Sequence, residues 1–128
     1  MTSRRQTLEQ ERADSAWQDI ETVKSDQQQK KYGTLARKLP AMIQMNGLGT
    51  VLAFLLAKGK NNEDDGHKLI FKHLSAWVLS KIEPAVKHED LMALVRNVEM
   101  DVYRRATTEA IEYSIWLKRY VEAKDWAA

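Results

Sequence analysis

Chemistry at neutral pH needs a nucleophile, an acid–base pair, a metal cage or a phosphate cradle, and this 128-residue chain offers poor material for each. There is no Gly-x-Ser-x-Gly elbow to hold a serine beside a base, and no His-Glu-x-x-His to set two imidazoles on one helical face. Cysteine is absent, which removes disulfides, thiol catalysis and cysteine-based zinc sites. Asn46-Gly47-Leu48-Gly49 is glycine-rich, but no Gly-Lys-Ser/Thr follows to cradle a phosphate, so it reads as a tight turn between helices. Glu63-Asp64-Asp65 carries charge enough for a divalent cation, yet lacks the alternating spacing and distant Glu of a calcium loop. A solvated loop cluster is the plainer reading. His67, His73 and His88 share no ligand spacing, and His73 falls on the apolar side of a helix, where a half-buried, hydrogen-bonded ring is expected. The expectation is therefore no catalytic residue, no metal, no cofactor and no small-molecule substrate.

Charge is more informative. The net value is only +2, but between Asp26 and Glu63 lie 36 residues without an acidic side chain. That stretch holds Lys30, Lys31, Arg37, Lys38, Lys58 and Lys60, against 14 basic and 18 acidic residues elsewhere. If these cations converge they make an anion-seeking face; if they do not, they are a solvated basic surface. Tyr32 beside Lys30-Lys31, and Tyr103 beside Arg104-Arg105, have the chemistry to stack on bases next to phosphate-binding cations, or to pack in the core. Trp17 and Trp77 sit in apolar stripes and are expected in the core, whereas Trp116 lies off the main stripe and faces a neighbouring helix or a partner.

These groups must be positioned by helices. Apolar residues recur three and four apart, with five Gly, two Pro and no alternating strand pattern. A first helix is expected from about Ser3 to Val23, opened by a Ser3/Gln6 capping box. A second follows an Asp26/Gln29 cap and kinks or restarts at Pro40, before Gly47 ends it in the left-handed conformation. Leu48 to Lys58 reads as a buried helix, Gly59 to Gly66 as a polar loop, and His67 to Ile82 as a fourth helix. A short helix from Asp90 to Val98, with His88-Glu89-Asp90 at its N-terminus, precedes a long one from Asp101 to Ala123. The fold class is all-α: one compact domain over residues 1–128, a bundle of about six helices. With 44% hydrophobic and 30% charged residues the chain can close a core and is not disordered. Its longest apolar run, Val51 to Ala57, is too short to span a bilayer, and no signal-like segment opens the chain. A cytoplasmic protein without a membrane partner is expected.

The run from Tyr32-Gly33 through Arg37-Lys38-Leu39-Pro40, then Ile43-Gln44-Met45-Asn46-Gly47-Leu48-Gly49, then Leu52-Ala53-Phe54 to Lys58, carries a resemblance. It resembles the signature of the small helical subunit of the Cmr complex, the type III-B CRISPR RNA-guided effector. Arg12-Ala13 with Ala16-Trp17 is similar to that family's opening helix. Tyr103-Arg104-Arg105-Ala106-Thr107, Glu109-Ala110 and Trp116-Leu117-Lys118-Arg119 are similar to its closing one. The loop around Asn61 to Gly66 and the segment from Lys87 to Val98 carry no part of it.

The resemblance implies an all-α, non-catalytic subunit that stacks along the effector beside copies of itself and the backbone and large Cmr subunits. It would help hold guide RNA and target RNA, while cleavage and cyclic oligonucleotide synthesis belong to other subunits. A protein serving any guide must grip phosphates and leave sequence to base pairing. The cations inside the matching motifs are Arg37, Lys38, Lys58, Arg104, Arg105, Lys118 and Arg119, and these are the expected RNA-binding residues. Each has a duller role as a surface ion pair, most clearly Arg105 with Glu109 one turn away. Leu39, Pro40, Ile43, Leu48, Leu52, Phe54 and Leu55 read as core. The rival reading is a helical adaptor whose basic face binds only protein.

Overall fold

A hydroxyl followed three residues later by a glutamine starts each of the first two helices. Thr7 accepts from the Gln10 backbone at 3.1 Å while Gln10 Oε1 takes the Thr7 N–H at 2.8 Å. Ser25 and Gln28 repeat the exchange, so both are capping boxes. The cap expected at Asp26/Gln29 is thus corrected to Ser25/Gln28, and the described start of the first helix is the Thr7/Gln10 box. Asp26 lies instead in the first turn, where its charge meets the positive end of the helix. The computed structural model describes residues 6–60, 65–82 and 87–126, so Ser3 lies outside it.

The order is α1 (Leu8–Glu21), α2 (Asp26–Asn46), α3 (Leu48–Gly59), α4 (Gly66–Lys81), α5 (Leu91–Asn97) and α6 (Met100–Lys124). No strand occurs among the described residues. The all-α, six-helix expectation holds. Helix α2 does not restart at Pro40; it continues unbroken because Ala36, Leu39 and Ile43 on both sides of the proline are buried. That packing outweighs the one backbone hydrogen bond proline cannot make.

Helices α2 and α6 form the centre and run antiparallel: Tyr103 near the start of α6 reaches Gly49, and Trp126 past its end meets the Tyr32 ring. Helix α1 lies on α6, α4 crosses α2 and α6, and α3 and α5 close the other side against α4. All six contribute to one apolar core, with Tyr32, Leu39, Leu52, Leu74, Leu94 and Tyr113 fully buried. No helix is long and apolar enough to cross a membrane among the described residues.

Gly47 serves both helices of the predicted turn, donating to Ile43 O at 2.9 Å and accepting from Val51 N at 3.2 Å. Its φ of 88° is positive as expected, but ψ of 152° is extended and not left-handed helical. That region is essentially reserved for glycine, so Gly47→Ala should cost on the order of 1–2 kcal/mol, measured by urea unfolding. The loop expected from Gly59 to Gly66 needs correction as well. Both glycines are buried ends of helices, and a Cβ on Gly66 would lie 2.8 Å from the Tyr32 backbone nitrogen. Gly66 is what lets α4 touch α2.

Polar groups thread this interior. Glu109 on α6 accepts from Arg12 Nε at 2.6 Å, Arg12 Nη2 at 2.9 Å and Trp77 Nε1 at 2.8 Å. The Arg105–Glu109 pair expected from spacing gives way to this arrangement, because Glu109 points into the α1/α4/α6 junction. The Trp77 ring stacks on Tyr113 at 4.9 Å and is buried as expected. Trp17 is not: it is 41% exposed, edge-on to Tyr120 with Lys124 Nζ 4.6 Å above it. Helix α1 sits at the edge of the bundle, so only one side of it is covered.

Candidate nucleic-acid interface

Residues 30, 31, 34, 35 and 38 recur at helical spacing and therefore share one face of α2. That face, with Phe54 from α3 and His67 from α4, lines an open groove of about 340 Å³. Its rim is Lys30, Lys31 and Lys38, all exposed; its floor is Leu35 and the half-buried Phe54. Asp65 caps α4 and is tied to His67 through the backbone at 2.8 Å and Nδ1 at 2.6 Å, with Lys31 Nζ 3.3 Å away. Burial works to raise the Asp65 pKa, but the hydrogen bonds from His67 and Lys31 outweigh it and hold the carboxyl below its usual range. The aspartate is thus charged and engaged, and Lys31 is the lysine it neutralises. Lys30 and Lys38 have no carboxylate partner among the described residues. Lys58 follows Phe54 by four residues, one turn further along the same face of α3 and exposed.

The other expected cations lie elsewhere. Arg37 is turned about 100° from Lys38 around the helix; its Nη2 is 4.0 Å from Asp125 at the end of α6. Its Nε is buried without a hydrogen-bond partner. Arg104 and Arg105 line a cleft of about 460 Å³ with Lys81, Leu8 and Thr108. Lys81 there is bound to Glu11 at 2.6 Å. Arg119 lines a second cleft with Glu9, Arg12, Glu112 and Trp116, and pairs with Glu122 at 3.3 Å. Lys118 is half-buried, and its fourteen-residue offset from Arg104 puts the two on roughly the same side of α6. The α2 lysines and the α6 arginines therefore line different clefts, and acids mix with the cations on α6. The least compensated positive charge is on α2 and α3.

Two apolar residues are less buried than sequence reasoning placed them. Phe54 and Pro40 were expected in the core and are only half-buried; Leu39, Ile43, Leu48, Leu52 and Leu55 are buried as expected. Lys30, Thr34 and Lys38, four apart and free of acids, were legible as a face. That Phe54 and His67 meet them, edge to face at 5.7 Å, depends on how α3 and α4 fold back. Tyr32 is fully buried and the Tyr103 hydroxyl oxygen accepts from Gly49 N–H at 2.9 Å, so both pack inward. Trp116 is half-buried beside Tyr120 at 5.7 Å. Of the acidic trio, residues 63 and 64 lie outside the described residues, and Asp65 is occupied as a helix cap.

Fold and groove together define a small helical module with a basic, partly aromatic face. A family model, CRISPR-associated protein (Cas_Cmr5), matches residues 8–124, from the first residue of α1 to the last of α6. The chain belongs to the Cas_Cmr5 family. It is similar to the CRISPR system Cmr subunit Cmr5 of Thermus thermophilus, with 29% identity over 114 residues, covering 87% of this chain and 90% of that relative.

Proposed function

We propose that the chain is a non-catalytic structural subunit of a type III-B Cmr effector in antiviral defence. It stacks beside copies of itself and the backbone and large subunits and grips guide–target RNA through phosphates. Family membership supports the subunit role. The observation that carries the RNA reading is the α2/α3 face, where Lys30, Lys38 and Lys58 stand with no acid between Asp26 and Glu63 to compensate them. A guide-independent subunit needs such a surface, since phosphate contacts position a strand without reading it. Arg37, turned away from Lys38 on α2, and Arg104, Arg105, Lys118 and Arg119 on α6 stand outside that face and would make separate phosphate contacts.

The test is single-stranded RNA binding by the full chain across a range of salt. Reversing Arg37 and Lys38 to Glu, or Lys118 and Arg119 to Glu, should weaken binding roughly ten-fold. Each double reversal should flatten the log–log salt slope by about 1.4, which is two contacts at about 0.7 each. Arg37 and Lys118 are half-buried, so each variant's melting curve is recorded beside its RNA binding, and a loss of binding counts only where melting is unchanged. RNA affinity indifferent to both reversals, with binding to neighbouring subunits lost, would establish the protein-only adaptor instead.

A further inference from the structure

We infer that the groove between α2, α3 and α4 is a slot for one unstacked base of the bound strand. The ring lies against Phe54, with the flanking phosphates on Lys30 and Lys38. This rests on the RNA-binding reading above and goes further, from phosphate contact to base contact.

Three features of the groove lead there. Its charge is arranged along a line: Lys30 and Lys38 are eight residues apart on α2, about 12 Å along the helix, with the Thr34 side chain between them. Its floor is apolar and aromatic, Leu35 beside a half-buried Phe54, which a surface meant only for phosphates does not need. Its size suits one ring: about 340 Å³ is at the small end of ligand sites, which run from about 300 to 1,000 Å³. A paired A-form strand keeps its bases stacked inside the helix, so only a base turned out of the stack can reach Phe54. Stacking on a ring is also sequence-tolerant, because every base presents a π-face. That matches a subunit that must serve any guide.

The Phe54 ring is held in place for this use. His67 packs edge-on against it at 5.7 Å, and Asp65 fixes His67 through both its backbone N–H and its ring nitrogen. Asp65 also draws Lys31 toward α4, leaving Lys30 and Lys38 to the ligand. Phe54 is thus a positioned platform and not a loose surface residue.

The experiment uses the full chain with single-stranded RNA containing one 2-aminopurine, a matched RNA with an abasic site at that position, and free AMP. Binding should quench the 2-aminopurine fluorescence. Phe54→Leu, which keeps the apolar contact with the core, should remove the quench and lower affinity about ten-fold, while Phe54→Trp restores both. The wild type should bind abasic RNA only as well as Phe54→Leu does. Lys30→Gln with Lys38→Gln should weaken both RNAs equally. If Phe54→Leu equals the wild type on both RNAs while the charge reversals on Arg37/Lys38 still weaken binding, the slot is refuted and the phosphate-gripping function stands. If no form binds RNA at low salt, both fail. AMP binding as tight as the strand would overturn the strand reading in favour of a free-nucleotide site.

Discussion

Glu109→Ala should cost about 3–5 kcal/mol of folding stability, the largest loss expected from any single change here. The Glu109 and Arg12 side chains are only 9% and 14% exposed, and the carboxylate takes three donors, two from Arg12 and one from Trp77. Truncation leaves a largely buried guanidinium and an indole N–H without their acceptor, and stranding a charge in this way costs more than the intact pair contributes. Arg12 retains Glu9 and Glu112 nearby, which sets the loss toward the lower end. Urea unfolding reads it directly. The double variant Arg12→Met/Glu109→Leu should lose less than Glu109→Ala alone, because apolar filling removes the stranded charge. Burial alone would raise the Glu109 pKa, but the hydrogen bonds from Arg12 and Trp77 prevail and lower it. Its contribution is therefore complete above the ordinary glutamate value and disappears as pH falls through the depressed one.

Between about pH 4.5 and 6.5 a different pair controls stability. His73 is half-buried, and its Nε2 meets Thr22 Oγ1 at 3.2 Å while Nδ1 meets Tyr32 Oη at 2.7 Å. The Thr22 hydroxyl donates to Asp19 O at 2.6 Å, so it accepts from Nε2–H, and Nδ1 accepts from Tyr32. In this tautomer both ring nitrogens are engaged. Burial, and then the charge of Lys72, lower the His73 pKa to about 4. A histidine depressed from about 6.5 gives stability that is present above that value and lost on acidification. Asp19 does the reverse: burial, partly offset by the hydrogen bond from Tyr113, raises its pKa to about 6. Its ionisation destabilises the fold as pH rises from about 4 to about 6. The two slopes oppose each other in one window. Asp19→Asn should expose the His73 slope, a loss of roughly 2–3 kcal/mol from about pH 7 to about pH 4.5. His73→Gln should expose the Asp19 slope, with stability rising on acidification by on the order of 1 kcal/mol, discounted for its partial solvation. The wild type should fall between them. Unfolding free energies at several pH values decide it; parallel profiles for all three proteins would refute the account.

The helices were legible because each is written in local terms: apolar residues three and four apart, a hydroxyl and glutamine at the start, Gly47 between α2 and α3. Boundaries slipped where two such signals stood close together, as at Asp26/Gln29 beside Ser25/Gln28. Trp17 was misplaced because a stripe shows which side of α1 is apolar, not whether another helix covers that side. Glu109 illustrates the deeper limit. Spacing offered Arg105 one turn away, yet the carboxylate goes to Arg12, 97 residues distant, since only the folded junction brings in a donor deep enough to follow it inside. Both residues fell within motif segments, so the family pattern marked them without revealing that they join. The groove divides in the same way. Its lysines follow from the acid-free stretch, whereas Phe54 and His67 enter only through tertiary packing.

Helix α1 is fastened almost wholly to α6. The bonds from Arg12, Ala13, Ser15, Asp19 and Glu21 reach partners 94 to 107 residues later in the chain. On the ribosome, at roughly 5–20 residues per second, α1 must wait several seconds for α6 to emerge. Until then its apolar stripe is open to solvent, and the nascent chain is most exposed to proteases and to aggregation. Closing so distant a contact also makes folding slower than is usual for a helical protein of this length.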